Sequence, residues 1–158
     1  MDAWAADFDN WGICDTVCFH LFDVTPYAFL KIDEWATRPE EFVRRASFAL
    51  LASLAVHDRV APADAFISRL PLIEAASTDN RNFVKKGVSW ALRLLGRRNP
   101  ACHVASTKLA HRLAASTDPA ARWIGKDAVR DLTTPAALKR VGKATQTGQT
   151  RNTSSIST

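Results

Sequence analysis

The sequence repeats itself at an interval of 41 residues. The segment FVRRASFALL begins at Phe42 and the similar segment FVKKGVSWAL begins at Phe83, so that an aromatic residue, a valine and two bases coincide. A weaker copy, IGKDAVRDL, begins a further 41 residues on at Ile124; it retains Lys126 but has Asp127 in place of the second base. A regular interval of this length indicates one supersecondary unit repeated along the chain, each copy burying its apolar face against the next.

The repeated unit is predicted to be a pair of helices. Apolar residues recur at helical spacing almost throughout, and no run of alternating β-branched residues indicates a strand. Six of the seven prolines precede periodic segments, and four of them follow Thr, Asn or Asp, as in a capped first helical turn. The predicted helices span about 11–22, 26–35, 39–56, 62–75, 81–97, 100–115, 119–132 and 135–143, with a kink at Pro71. We therefore expect an all-α fold, an α-solenoid of HEAT-like repeats whose basic second helices line the concave face.

One folded domain is expected over residues 1–144, because 158 residues suffice to bury a core without staples. The remaining segment, 145–158, is polar and of low complexity, and is predicted to be a disordered tail. No window approaches the roughly 18 apolar residues of a membrane span, and the start lacks the pattern of a signal peptide. The three cysteines show no paired spacing, so we expect a cytoplasmic protein without disulfides.

Charge is distributed unevenly along the chain. Residues 1–40 hold eight acids and two bases, a net charge of −6, whereas residues 41–158 hold eight acids and nineteen bases, a net charge of +11; together they give +5. A basic body of this kind commonly binds a polyanion, since Lys and Arg release counterions from nucleic-acid phosphates. Charge alone leaves open the alternative of a solvated basic surface.

The helix around Trp90 combines an aromatic residue with cations. At about 100° per residue its apolar stripe lies on one side and a basic face lies roughly opposite. That basic face comprises Lys86, Trp90, Arg93 and Arg97. An indole flanked by cations can pack against a nucleic-acid strand, or it can be buried against a neighbouring repeat beneath a solvated charged face.

Two further candidates stand on other helices. Trp11 and Asp15 are four residues apart and share a face, with Phe19 and Phe22 on either side of the carboxylate. Aromatic walls strengthen the interaction of a carboxylate with a developing positive charge, although a capping or salt-bridged acid near the helix start is the alternative. Arg45 has small neighbours on its helix and can either fork onto a phosphate or pair with Glu41 one turn away.

Other reactive residues are not arranged for chemistry in the sequence. Cys14 and Cys18 lie one helical turn apart without a second ligand pair at zinc spacing, and Cys102 with His103 is isolated, so core thiols and a surface histidine are expected. The other histidines, which have no evident nucleophile partner, are His20, His57 and His111. With no Gly-rich phosphate loop either, triad and nucleotide-cofactor chemistry are disfavoured.

Three segments together, DNWGICDTVC, EEFVRRASFALL and FVKKGVSWALRLLGRRNP, resemble the DNA alkylation repair family of HEAT-like DNA glycosylases over about residues 8–132. The family pattern of a Trp and an Asp four apart is matched by Trp11 and Asp15. Its repeat-helix Arg is matched by Arg45, and its later Trp by Trp90. The combination is specific, whereas each motif alone is weak.

The resemblance implies hydrolysis of the N-glycosidic bond of N3- or N7-alkylated purines in duplex DNA, with no metal or organic cofactor. It implies that Asp15 offsets charge on the sugar and orients a water, that Trp11 and Trp90 contact the lesion-bearing backbone or sugar, and that Arg45 holds a phosphate. The cations expected to bind DNA are Arg44, Lys85, Lys86, Arg93 and Arg97. The expected partner is duplex DNA with alkylated bases, bound by a monomer without membrane association.

The chain also departs from the family pattern. Family members carry several helices before the Trp and Asp motif, whereas this chain begins ten residues ahead of Trp11, so we expect it to be the C-terminal portion of the family domain. Gly12, Gly87 and Ser89 are not the commonest choices at their positions. Two alternatives to an enzyme remain: a non-catalytic HEAT-like module that binds nucleic acid, and a protein-binding scaffold.

Overall fold

The computed structural model describes residues 1–142, and all regular secondary structure in that range is helical. The all-α class is thereby confirmed. The α-helices are α1 (Asp2–Ala6), α2 (Trp11–Val17), α3 (Ala28–Trp35), α4 (Glu41–His57), α5 (Ala63–Ile67), α6 (Leu70–Ala76), α7 (Asn82–Gly96), α8 (Pro100–Ala114), α9 (Pro119–Leu132) and α10 (135–142). The predicted domain boundary at residue 144 and the predicted tail over 145–158 lie outside the described residues.

The predicted helix over 62–75 is two helices, α5 and α6, separated at residues 68–69. Pro71 lies in the first turn of α6. Its ring would clash with the carbonyl of Ile67, and it has no N–H to donate to that carbonyl, so a helix ends before it more readily than it bends. The short helix α1 was not predicted, because five residues are too few to show a helical period.

Side-chain caps begin several helices, as the proline pattern predicted. Asn99, Asp118 and Thr134 accept hydrogen bonds from the backbone N–H three residues on, at 2.9, 2.8 and 3.3 Å. Thr25 does not act as a cap of this kind; its hydroxyl donates to the Phe22 carbonyl at 2.8 Å, and α3 begins only at Ala28. These caps fix where the long helices start and hence which faces they present.

The long helices pack in two rows. The helices that carry the repeated segments, α4, α7 and α9, lie side by side, since α7 contacts α4 on one flank and α9 on the other. Behind them, α3 packs on α4, α6 on α7 and α8 on both α7 and α9. The core between the rows is apolar and buried, with Phe48, Leu51, Leu92, Leu95 and Leu109 among its largest members. The row of α4, α7 and α9 is therefore the face on which residues of different repeats meet.

Helices α8 and α9 touch backbone to backbone. A Cβ placed on Gly125 would overlap the main chain at Leu113 and Ala114, so this glycine is required by the close approach. Gly125 occupies the position that Val84 holds in the preceding repeat. No helix within residues 1–142 is long and apolar enough to cross a membrane.

Candidate functional site

An open cleft of about 510 Å³ crosses the row formed by α4, α7 and α9 and is bounded by α2. Its volume is within the usual range for small-ligand sites. The residues that line it are Trp11, Asp15, Arg45, Lys86, Ser89, Trp90, Arg93, Trp123 and Asp127. The cleft thus brings together the four side chains predicted to be catalytic and two of the five cations predicted to bind DNA.

Asp15 and Arg45 form a bidentate ion pair inside the cleft. The Arg45 Nε donates to Asp15 Oδ1 at 2.9 Å and Nη2 donates to Oδ2 at 2.6 Å, while Nη1 donates to the Phe83 carbonyl at 2.6 Å. The aspartate side chain is 16% exposed and the arginine side chain 7% exposed. The pair therefore presents its carboxylate, the more exposed member, to the cleft. Glu41, the partner that the sequence suggested for Arg45, is not the one it takes.

Contacts between α2 and α4 hold Asp15 opposite Arg45. The Asn10 side chain caps α2 by accepting from the Ile13 N–H at 3.0 Å. Further along α2, the Cys14 thiol donates to the Phe42 carbonyl at 3.5 Å, and Cys18 lies against α4 in the same way. All three cysteines are buried and free, which confirms their assignment as core residues. A hydrogen bond with the Cys14 thiol, together with burial, raises the pKa of the Cys18 thiol well above its ordinary value.

The two predicted tryptophans both line the cleft that Asp15 faces. Trp11 is 54% exposed at the start of α2, and Trp90 on α7 is half-buried. The Trp90 ring stacks on Phe19, with centroids 4.8 Å apart and planes 7° from parallel. Phe19 lies in a single π-helical turn, Cys18–Phe22, that continues α2; such turns are frequent at functional sites. Phe22, predicted to flank the carboxylate, instead packs in the core against Trp35.

The basic face predicted on α7 is largely paired with acids of α9. Arg93 Nε lies 3.4 Å from Asp127 Oδ2, and Arg93 Nη1 lies 3.9 Å from Asp131 Oδ1. Arg97 also binds Asp131 and does not line the cleft. Both arginines were predicted to bind DNA, and the structure pairs them with acids of the next repeat helix, α9, and not with residues of α7 itself.

The other predicted cations have different surroundings. Arg44 lies outside the cleft and pairs with Asp79 at 3.1 Å. Hydrogen bonds from Arg81 lower the pKa of Asp79, with a smaller contribution from Arg44. Lys86 is exposed in the cleft and has no hydrogen-bonding or ion-pair partner within residues 1–142. Among the cations that line the cleft, Arg45 and Arg93 are paired with carboxylates, whereas the charge of Lys86 is not balanced by any acid within residues 1–142.

The α9 side of the cleft was not predicted. Trp123 is exposed there, with the Lys85 Nζ 5.0 Å from its ring centroid. Asp127 accepts a hydrogen bond from the Ser89 hydroxyl at 2.7 Å. A signal was present in the repeat, because residues 45, 86 and 127 occupy one repeat position and all three line the cleft. Trp123 directly precedes the third copy, where it can reach the same face.

A second polar cluster lies beside Phe19. His57 Nδ1 is 2.7 Å from Asp23 Oδ2 and 3.3 Å from the Ser53 hydroxyl, so a serine does lie close to this histidine. The cluster cannot work as a nucleophilic triad, because Ser53 is buried and donates to Asp23, and both partners meet the same ring nitrogen. Within residues 1–142 no group of three or more His, Cys, Asp or Glu is placed to hold a metal ion.

Comparison with known proteins bears on the cleft residues directly. A family model described as "DNA alkylation repair enzyme" matches residues 1–132, the range that contains every residue lining the cleft. The searches of curated proteins and of solved structures returned no match. A match over 132 of 158 residues covers most of the chain. The chain therefore belongs to the DNA alkylation repair enzyme family, and its role is in DNA repair.

Proposed function

We propose that this protein is a DNA glycosylase that hydrolyses the N-glycosidic bond of N3- or N7-alkylated purines in duplex DNA. The observation that carries the proposal is the Asp15 carboxylate, held by Arg45 and facing an open cleft between two tryptophans. This carboxylate supplies the fixed negative charge that the reaction requires.

The chemistry demands little beyond electrostatic stabilisation. Alkylation at N3 or N7 makes the purine cationic, so the bond from C1′ to the base breaks with its electron pair leaving on the base. Positive charge then moves from the base to the deoxyribose as the oxocarbenium ion develops. A fixed carboxylate close to that sugar is worth more to the transition state than to the ground state, which is the condition for catalysis.

Asp15 acts at two points of this reaction. Its carboxylate stabilises the oxocarbenium ion, and it accepts a hydrogen bond from the water whose oxygen attacks C1′. The products are a neutral alkylated base, an abasic site and one proton, which the attacking water releases through Asp15 to solvent. Trp11 and Trp90 pack against the sugar and backbone and exclude water from the other faces.

Arg45 is better assigned as a positioning residue than as a phosphate ligand. Its Nε and Nη2 are engaged by Asp15 and its Nη1 by the Phe83 carbonyl, and its side chain is almost entirely buried. A bidentate pair fixes both the position and the plane of the carboxylate. Because the guanidinium lies on the buried side, the negative end of the pair faces the substrate.

The proposal also includes a HEAT-like solenoid arrangement of the helices. The side-by-side packing of α4, α7 and α9, each backed by another helix, supports a HEAT-like α-solenoid whose second helices face DNA. Lys86 in the cleft contacts phosphates, and so do Lys85 and Lys126, which occupy the preceding position of the 41-residue repeat.

Release of alkylated base from methylated duplex DNA tests the proposal. We expect the wild-type chain to release base and leave an abasic site, and Asp15→Asn to lose at least about a hundredfold in rate, as when one electrostatic stabiliser is removed. Asp7→Asn is the matched control, because Asp7 is exposed, has no described partner and lies outside the cleft.

The possible outcomes distinguish the activity of the protein from the catalytic role of Asp15. If wild type releases no base above the spontaneous rate while still binding DNA, the protein is a non-catalytic binding module and the proposal is wrong. If Asp15→Asn and Asp7→Asn both release base at the wild-type rate, the enzyme stands but Asp15 is not its catalytic residue.

A further inference from the structure

The proposed function treats Lys85 only as one of several phosphate contacts and gives no role to Trp123, which lines the cleft from α9. We infer that Trp123 and Lys85 form a separate subsite that binds the sugar-phosphate backbone of a DNA nucleotide next to the damaged one. The inference rests on the proposed function only in taking DNA as the ligand, and it does not require that base release occur.

Trp123 has the exposure of a binding residue. It lies in the second turn of α9, lines the cleft and is 41% exposed, whereas Trp35, in the interior, is 1% exposed. An exposed indole inside a concave site offers a flat apolar face at which a sugar or base can pack. Trp11 lies on α2 together with Asp15, whereas Trp123 lies on α9, so Trp123 contacts a different part of the strand.

Lys85 is positioned by this indole without being neutralised. Its ammonium lies 5.0 Å from the centroid of the Trp123 ring, and the interaction joins α7 to α9. Arg93 and Arg97 are in the opposite situation, because carboxylates balance their charge. A cation held over a neutral ring keeps its full charge for an anionic ligand, and at this site the anion is a phosphodiester.

The charges around the pair favour the same ligand. Asp127 lies one turn beyond Trp123, but Ser89, Arg93 and Arg130 bind its two oxygens. Lys126, at the repeat position of Lys85, is exposed and has no partner in the described part of the chain. The Lys85 ammonium on the ring also repels a second cation, so the subsite selects against the cationic alkylated base and for the phosphate and sugar of its neighbour.

A double-mutant cycle on the binding of undamaged duplex DNA tests the subsite. Affinity is measured by fluorescence anisotropy over a series of salt concentrations, and thermal melts verify that each variant is folded. We expect Trp123→Ala to weaken binding about tenfold, the loss typical of one aromatic packing contact, and Lys85→Gln to weaken it severalfold while reducing the slope of log affinity against log salt by about 0.9.

Coupling is the specific expectation. Because the indole positions the ammonium, the double variant should lose clearly less than the product of the two single losses. Trp123→Phe, which keeps an aromatic face, should remain within about threefold of wild type and stands in for Trp123→Ala should that variant fail to fold. Trp4→Ala and Lys108→Gln are the matched controls, since both side chains are exposed and lie outside the cleft.

Three results would overturn the inference: strictly multiplicative losses, an unchanged salt slope in Lys85→Gln, or losses no larger than those of the two controls. None of these bears on base release, which the Asp15 experiment measures separately. Conversely, the protein could bind DNA through a coupled Trp123 and Lys85 and yet release no base. That result would support the subsite and contradict the proposal that the protein is a glycosylase.

Discussion

Replacing Asp15 with asparagine should destabilise the fold as well as abolish base release. The carboxylate accepts from two donors of Arg45, on Nε and Nη2. An asparagine of the same shape has one oxygen that can accept and one NH₂ that can only donate, so one of the two arginine N–H groups would face another donor. The guanidinium would then be buried with its charge uncompensated.

The size of this effect follows from the burial of the pair. With side-chain exposures of only 16% and 7%, solvent compensates little for a lost partner. Removing one partner of a buried ion pair costs about 3–5 kcal/mol, and the one retained hydrogen bond to the charged arginine recovers about 1.5 kcal/mol. The expected loss is therefore about 1.5–3.5 kcal/mol, or a fall in Tm of roughly 3–14 °C for a chain of this size.

Urea and thermal unfolding of Asp15→Asn, Arg45→Met and the double variant measure the pair. We expect the double variant to be more stable than the sum of the single losses predicts, by about 2 kcal/mol or more, since it leaves no unpaired buried charge. It should nevertheless release no base. If Asp15→Asn unfolds within about 0.5 kcal/mol of wild type, the ion pair is not structural and the reasoning from burial fails.

Four further changes follow from the same contacts. Gly125→Ala should lower stability by about 3 kcal/mol or prevent folding, because its Cβ overlaps the α8 backbone; a melt like that of wild type would contradict this packing. Gly87→Ala should be neutral or stabilising by up to about 1 kcal/mol, since its nearest new contact is an ordinary 3.4 Å. Asp131→Asn should tighten DNA binding and steepen its salt dependence by releasing Arg97, which anisotropy would detect. The pKa of Asp79 is lowered, so its contribution to stability is present above the ordinary aspartate pKa and is lost as pH falls through the folded value; Asp79→Asn should flatten that acid limb in unfolding measured against pH.

The sequence was sufficient for the parts of the structure that depend on local spacing. Helix starts at Pro100 and Pro119 follow from an adjacent capping residue, and the face shared by Trp11 and Asp15 follows from one helical turn. The same reasoning failed for Arg45. A helical wheel relates only residues of the same helix, so it proposes Glu41 as the partner of Arg45. The partner in the structure is Asp15, which is 30 residues distant and meets Arg45 because α2 packs on α4.

The pairing of the α7 arginines could have been inferred only by combining two observations. The 41-residue register places α9 beside α7, and the third copy has an acid where the earlier copies have a base. Together these place an acid on the helix beside α7, although the register aligns Asp127 with Lys86 and the structure pairs it with Arg93. What the register does not give is the rotation of each helix about its axis, which is set by contacts such as that of Gly125 with α8.

The repeat therefore assigns chemistry by position within the 41-residue unit. One position, occupied by Arg45, Lys86 and Asp127, lines the cleft in all three copies and is basic in the first two and acidic in the third. The position before it is basic in all three copies, as Arg44, Lys85 and Lys126. Adjacent residues on a helix point about 100° apart, so the two series face different directions: the variable series lines the cleft and the basic series does not. In the complex that we propose, Lys85 and Lys126 of the basic series contact phosphates beside the cleft that Asp15 faces.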